Sequence, residues 1–279
     1  MAVGVSVEAL LSGPCPRVGV TITGLGIGES LVSVWRLADG ERNPVRGARR
    51  ITINDSNYVV DFDAPLGRPI SYEVEVIRGP SGPSRVTSSS VTVSSSTGWL
   101  MDPLIPQTAV PVGRRMAPGG EIVFSASAMA KLDYAADAQV FKILGSDKPM
   151  ALFGQRMAAA GVDFSLITNA AEQNTRLSNL LKSSAQLLVR VPASWTTAIP
   201  GSCFTLVGSV SEVPVEASIG GALSSWSLTG DTVAAPTIKV LTATFTYGDV
   251  SLLTSTYQQK QDRMAGKKYL DDLKNPVGG

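Results

Sequence analysis

The chain has 279 residues, and its 24 Lys and Arg against 23 Asp and Glu leave a formal net charge of +1. That balance gives no electrostatic reason to expect nucleic-acid or membrane-surface binding. There is no histidine, which excludes Ser-His-Asp and Cys-His nucleophilic arrangements and every histidine metal site.

Residues 1–97 read as one small β-domain. Val3 to Leu10 and Arg17 to Thr23 alternate apolar and polar residues, and Leu31 to Leu37 carries Trp35 where a sandwich places its central aromatic. Ala38-Asp-Gly40 signals a turn. Ile51 to Ile53, Tyr58 to Phe62, Ser71 to Ile77 and Val86 to Val93 supply the remaining strands. In the Ser71 stretch, Tyr72, Val74 and Val76 share one face and Glu73 and Glu75 the other. Seven short strands with Gly, Pro and Asp turns match the count of an immunoglobulin-like sandwich. The order Trp35, Ala64-Pro-Leu-Gly67, Ser71-Tyr72 resembles fibronectin type III modules.

Ser94 to Gly98 is short, small and polar, as a linker would be. A second β-domain, a sandwich or barrel, is expected over 98–245. Trp99 lies at its start and reads as a junction anchor. Glu121 to Met129 is a strand candidate, and Leu132 to Ala138 is open between loop and short helix. Gln139 to Leu144 is a β-rich run, and Lys148 to Gly161 a hairpin or long loop. Met150, Leu152, Phe153 and Met157 in that loop are too apolar for an idle exposed segment; they either mark a contact surface or pack into the core. Val162 to Ile167 begins as a half-buried strand. The period then changes to 3.6 for a helix over 169–184, with Asn169 as expected N-cap and Glu172 in its first turn. Leu177, Leu180 and Leu181 form its apolar face, opposite Gln173, Asn174, Ser178, Asn179 and Lys182. Gln186 to Val191, Cys203 to Val210, Gly220 to Leu228 and Pro236 to Phe245 are the last strands expected. One helix against a β-sandwich or barrel is the economical packing.

Ile143-Leu-Gly-Ser-Asp-Lys-Pro149, Gly154-Gln-Arg156, the Leu-Leu helix, Leu187-Leu-Val-Arg-Val-Pro192 and Leu206-Val-Gly-Ser-Val-Ser-Glu212 stand here in an order and spacing that resembles minor tail proteins. The resemblance is to the distal-tail or tail-tip class of long-tailed phages that infect actinobacteria. It rests on many weak blocks over most of the chain. It implies a structural virion protein, assembled in the host cytoplasm, that forms a ring joining the tail tube to the tip or adsorption apparatus. Six copies is the first expectation and three the alternative; the tail tube protein and a tail hub or other minor tail proteins would be the neighbours.

Residues 246–279 differ in composition. Tyr247, Tyr257 and Tyr269 recur at intervals of 10 and 12, and the related tails carry a degenerate repeat of aromatic, small residue, Asp and aliphatic at this place. The middle copy departs from it, with Gln258-Gln-Lys260 where the acid and aliphatic should be. The segment is expected as an extended arm whose three aromatics anchor on a neighbouring subunit.

Nothing else in the chain points to chemistry. Cys15 and Cys203 are far apart and expected as reduced, buried thiols. Gly24-Leu-Gly-Ile-Gly28 is a loop between strands with no helix after it, which is the wrong context for phosphate binding. Asp61 with Asp63, and Glu73 with Glu75, could in principle serve as acid and base, yet exposed alternate positions on a strand are where charges ordinarily sit. No catalysis, no cofactor and no metal are expected. The start of the chain lacks a signal-peptide pattern and no apolar run is long enough to span a bilayer. A host-surface glycan or receptor-binding module and a weak tail-associated hydrolase are the alternatives to the structural reading. The expected assembly contacts are Trp99, Met150, Leu152, Phe153, Tyr247, Tyr257 and Tyr269.

Overall fold

The computed structural model describes residues 2–114, 122–145, 147–156, 158–195, 197–215, 222–237, 247–254, 256–274 and 276. The chain is mainly β and divides into two compact units. One holds residues 1–95, 104–107 and 237–279, the other 96–103 and 108–236.

The first unit is built on a two-sheet sandwich. Strands β1 (Gly4–Leu10), β2 (Arg17–Thr23) and β6 (Asn57–Asp61) form one sheet in the order β1-β2-β6. Strands β3 (Glu29–Ala38), β4 (Glu41–Pro44), β5 (Ile51–Asn54), β7 (Pro69–Arg78), β8 (Ser84–Thr87) and β9 (Val91–Thr92) form the other, with β3 and β7 at its centre. The last expected strand is thus broken into β8 and β9, and β4 is added. Asp39 and Gly40 make the β3–β4 turn with φ of 52° and 79°, the two positive values that a tight type I′ hairpin needs. Alternation decides the faces: Val32, Val34, Tyr72, Val74 and Val76 point into the core with Val18, Val20 and Ile22.

Two expectations for this unit need correction. Trp35 is not the central core aromatic. It lies on the outer face, half-buried, with Arg42 stacked 3.7 Å from its ring centroid and its Nε1–H donated to Glu75. The fully buried aromatic is Tyr72. Asp61 and Asp63 are not exposed charges either: they are 1% and 4% exposed. Asp61 accepts from both Arg36 Nη1 (2.9 Å) and the Tyr72 hydroxyl (2.9 Å), and Asp63 is held by Arg46 at 2.6 Å. The outer-face acids Glu73 and Glu75 do share a face, where they pair with Arg42 and Arg85.

The second unit is a barrel. Strands β10 (Gly98–Met101), β11 (Val110–Gly113), β12 (Ile122–Phe124), β16 (Leu166–Thr168), β17 (Gln186–Arg190), β18 (Ser202–Pro214) and β19 (Ser224–Val233) pair in a circuit that closes through β18 and β19. The short β15 (Val162–Asp163) precedes β16 along the same edge of β19. Closure satisfies every strand of the circuit on both sides over its paired length and fills the interior with Leu100, Val112, Ile122, Leu166, Leu187, Val189 and Leu228. Gly230 is required by this closure: a Cβ there would stand 2.3 Å from Thr205 Oγ1 across the β18–β19 bulge.

Helix α1 (Ala171–Ser183) joins β16 to β17 and buries Leu177 and Leu180 in the barrel core, with Leu181 packed at its margin. Its N-cap is Ala170, one residue beyond the expected Asn169, and no side chain caps it. Asn174, expected on the polar face, turns inward instead. It accepts from the Thr168 hydroxyl and donates to Ala222 O (3.1 Å) and Ser224 Oγ (3.2 Å), while Trp226 donates to Thr168 at 2.9 Å. This polar cluster fastens the helix to the barrel where a leucine could not satisfy the groups around it.

Strands β13 (Ala136–Phe141) and β14 (Met150–Arg156) lie outside the barrel as a separate two-stranded ribbon. The expected strand Pro236 to Phe245 falls largely on residues outside the described set. The C-terminal segment is helical in short turns rather than an extended arm: α2 (Tyr247–Leu253), α3 (Tyr257–Arg263) and α4 (Tyr269–Lys274). The break between α3 and α4 contains Gly266, whose φ is 78°. Helix α4 packs on β6 of its own chain, with Lys274 Nζ 5.7 Å from the Tyr58 ring centroid. Gly19 leaves the space in which the Tyr58 ring lies, since a Cβ there would come within 2.1 Å of its hydroxyl.

Candidate assembly surface

The ribbon is a consequence of two apolar runs joined by a turn. Ala138 pairs with Phe153, Gln139 with Leu152, Val140 with Ala151 and Phe141 with Met150, and the bulge lies between Ala136 and Ala138. Directly paired residues share a face. One face therefore carries Ala138, Val140, Ala151 and Phe153, and the other Gln139, Phe141, Met150 and Leu152. Neither face is polar. In a hairpin packed on a core, one face is apolar and the other wet; here every residue of both strands is exposed.

The exposures are large. Phe153 is 82% exposed, Val140 64%, Leu152 62%, Met150 56% and Phe141 45%, and in the turn Ile143 is 49% and Leu144 fully exposed at 104%. Together these seven partly to fully exposed side chains present an apolar area on the order of the 800 Å² that one partner brings to an interface of standard size. No third strand pairs with the ribbon among the described residues, and an isolated two-stranded hairpin is at best marginally stable in water.

A second unpaired edge lies on β18. Its pairing with β17 ends at Leu206, whereas its pairing with β19 runs on to Pro214. Over Ser209 to Pro214, β18 has a partner strand on one side only among the described residues. Val210, Val213 and Val215 are 40%, 56% and 56% exposed there, an apolar edge with a single charge, Glu212. Free strand edges carrying such residues are pairing templates.

Of the residues expected to make assembly contacts, Met150, Leu152 and Phe153 meet in this ribbon. Val140, Phe141, Ile143 and Leu144 join them, as do the valines of β18 elsewhere in the unit; sequence reasoning missed both groups as contact candidates. The turn signal at Gly145 and Pro149 between two apolar runs could have found the first. Trp99 is placed apart from the ribbon, half-buried in β10 opposite Pro111 and Arg190. The tyrosines Tyr247, Tyr257 and Tyr269 each open one of the three C-terminal helices, and Tyr257 is 83% exposed.

The groups considered for chemistry have structural partners. Burial acts to raise the Asp61 carboxyl, but the Arg36 charge and hydrogen bond, with donation from Asp63 N–H and Tyr72 O–H, hold it below the usual carboxylate range. A carboxylate fixed this way is neither a proton donor nor a free base. The Gly24–Gly28 loop donates Gly26 N–H to Asp55 and Gly28 N–H to Asn54, so these two glycine amides are engaged within the fold. Cys15 and Cys203 are buried and form no disulfide, and burial pushes the Cys203 thiol up to about 12. Among the described residues no group of three or more His, Cys, Asp or Glu is placed to hold a metal ion, and no helix is long and apolar enough to cross a membrane. Comparison of the chain with protein-family models and with curated proteins finds no match.

Proposed function

We propose that this chain is a structural protein of a phage tail tip, forming a closed ring that joins the tail tube to the tip or adsorption apparatus. The observation that carries the assembly part of this reading is the β13–β14 ribbon, apolar on both faces and exposed throughout. Such a surface is covered in a working protein, and a partner brings the cover. The tail assignment itself rests on the resemblance of the blocks between Ile143 and Glu212. In the ring, six copies or three would meet each other and the tail tube protein on one side, a hub or another minor tail protein on the other. The glycan-binding alternative has less support: Trp35, the aromatic on the outer sheet face of the sandwich, is covered by Arg42 rather than open to a sugar ring.

The test is the particle formed by the purified full-length chain, by mass measurement and electron microscopy. A closed ring of defined copy number is expected, and Phe153→Asp should leave a folded chain that no longer forms it. A chain that stays monomeric at every concentration, and whose deletion leaves normal infectious particles, overturns the proposal.

A further inference from the structure

Among the described residues the barrel unit carries unpaired β-edges on the ribbon and on β18, and the two places lie towards opposite ends of the barrel. Phe124 of β12 faces Leu166 of β16, and the chain leaves the barrel past Phe124 to build the ribbon. Leu166 in turn faces Trp226, with β15 continuing to Gly230, so the ribbon's end of the barrel is the Gly230 end of β19. Strand β18 runs antiparallel to β19, from Phe204 opposite Val233 to Pro214 opposite Ser224. Its free segment therefore heads away from the ribbon.

The charges of the two edges differ in sign. Strand β14 with its approach, 148–156, holds Lys148 and Arg156 and no acid; β18 from 206 to 215 holds Glu212 and no base. Antiparallel pairing of β14 with β14 would bring Lys148 towards Arg156, and pairing of β18 with β18 would bring acid towards acid, both unfavourable across strands. Pairing β14 with β18 has neither cost and matches an edge of seven residues, Met150–Arg156, to the six of Ser209–Pro214.

We infer that the occupant of the ribbon is a second copy of this chain: the β14 edge of one copy adds to the free β18 edge of the next. Main-chain hydrogen bonds supply the pairing, and Met150, Leu152 and Phe153 meet Val210, Val213 and Val215. The contact uses two different surfaces of each copy, so it is head-to-tail and closes into a ring when the rotation per copy permits. The inference rests on the ring reading above and names the surfaces that make it.

Two chains with one added cysteine each test it, Leu152→Cys and Val213→Cys, carrying tags of different size and treated with a short bismaleimide. Cys15 and Cys203 are 0% and 6% exposed, and the parent chain serves as the control for them. The expected result is a covalent adduct only when the two chains are mixed, and loss of most of it when Glu212→Lys is added to the Val213→Cys chain. An adduct formed by Leu152→Cys alone means that ribbons pair with ribbons, and overturns the inference while rings remain. Rings with no adduct of any kind overturn it equally. Absence of any oligomer, read by sedimentation on the same samples, overturns both this inference and the ring reading.

Discussion

Replacing Asp61 by Asn should destabilise the sandwich far more than its small change in shape suggests. The Asp61 carboxylate is 1% exposed and the Arg36 side chain 12%. It accepts from Arg36 Nη1 at 3.1 and 2.9 Å, from Tyr72 at 2.9 Å and from its neighbour Asp63 N–H at 2.9 Å. The amide keeps the volume but removes the charge, and it presents a donor where two donors already point. Breaking a buried pair from one side costs about 3–5 kcal/mol, because the remaining charge stays out of water without its counter-ion. For a unit of this size each kcal/mol moves the melting temperature by about 2–4 °C, so a fall of roughly 6 °C or more is expected. The control is Asp39→Asn, which breaks the pair with Arg68 at 33% and 52% exposure; such surface pairs are worth about 0–1 kcal/mol. Calorimetry of the full-length chain should show the sandwich transition shift in the first variant only. The pH dependence carries the same sign. The folded-state value of Asp61 is depressed, so its stabilisation is complete above the unfolded value of about 3.9 and is lost as the pH falls through the folded one. The gap between parent and Asp61→Asn should therefore narrow in acid. A shift for Asp61→Asn no larger than that for Asp39→Asn would refute the account of a buried, neutralised pair.

Leu180→Ala on the buried face of α1 should cost about 2–5 kcal/mol in urea unfolding, while Asn179→Ala on the exposed face should cost nothing; equal effects would mean the helix face is misassigned. Asn174→Ala removes an acceptor from the Thr168 hydroxyl and the donor to Ala222 O and Ser224 Oγ and should cost about 1–3 kcal/mol, with Asn174→Asp no better since Ala222 O and Ser224 then lose a donor. In hydrogen exchange of the isolated chain, the amides of α4 should be protected by its contact with β6, and deleting 247–279 should speed exchange in β6; coil-like exchange along 269–274 in the monomer would restore the expectation that this segment orders only on assembly.

How far the fold was legible depends on where alternation suffices. The period of two from Ser71 to Ile77 placed Tyr72 and Val74 inside and Glu73 and Glu75 outside, and the leucine spacing from 177 to 181 placed the helix face. The same alternation, followed strictly, puts Trp35 outside once Val32 and Val34 are inside; the size of the aromatic argued the other way, and Arg42 stacked on its ring is what lets it sit there. Asp61 and Asp63 were misread because their partners are distant. Arg36 lies 25 residues before Asp61 and Arg46 17 before Asp63, and only the closed sheet sandwich brings each arginine into place. Asn174 is the same case: its acceptor and donor partners stand on β16 and at the entry to β19.

The ribbon shows a different limit. Two apolar runs with no polar face read in a sequence as strands covered on both sides, and that reading is sound as far as it goes. Pattern alone does not say whether the cover comes from the same chain. In the barrel strand β17 it does, since Leu187 and Val189 lie in the core of their own unit. In β13 and β14 it does not among the described residues, although the two stretches are equally apolar. The difference is made by β12 and β16, which pair with each other directly and so leave the 37 residues between Phe124 and Val162 no place in the barrel circuit. A segment expelled from a closed barrel can keep its apolar character only if something outside the barrel covers it, and this is why the ribbon, rather than any pocket or carboxylate pair, carries the functional argument.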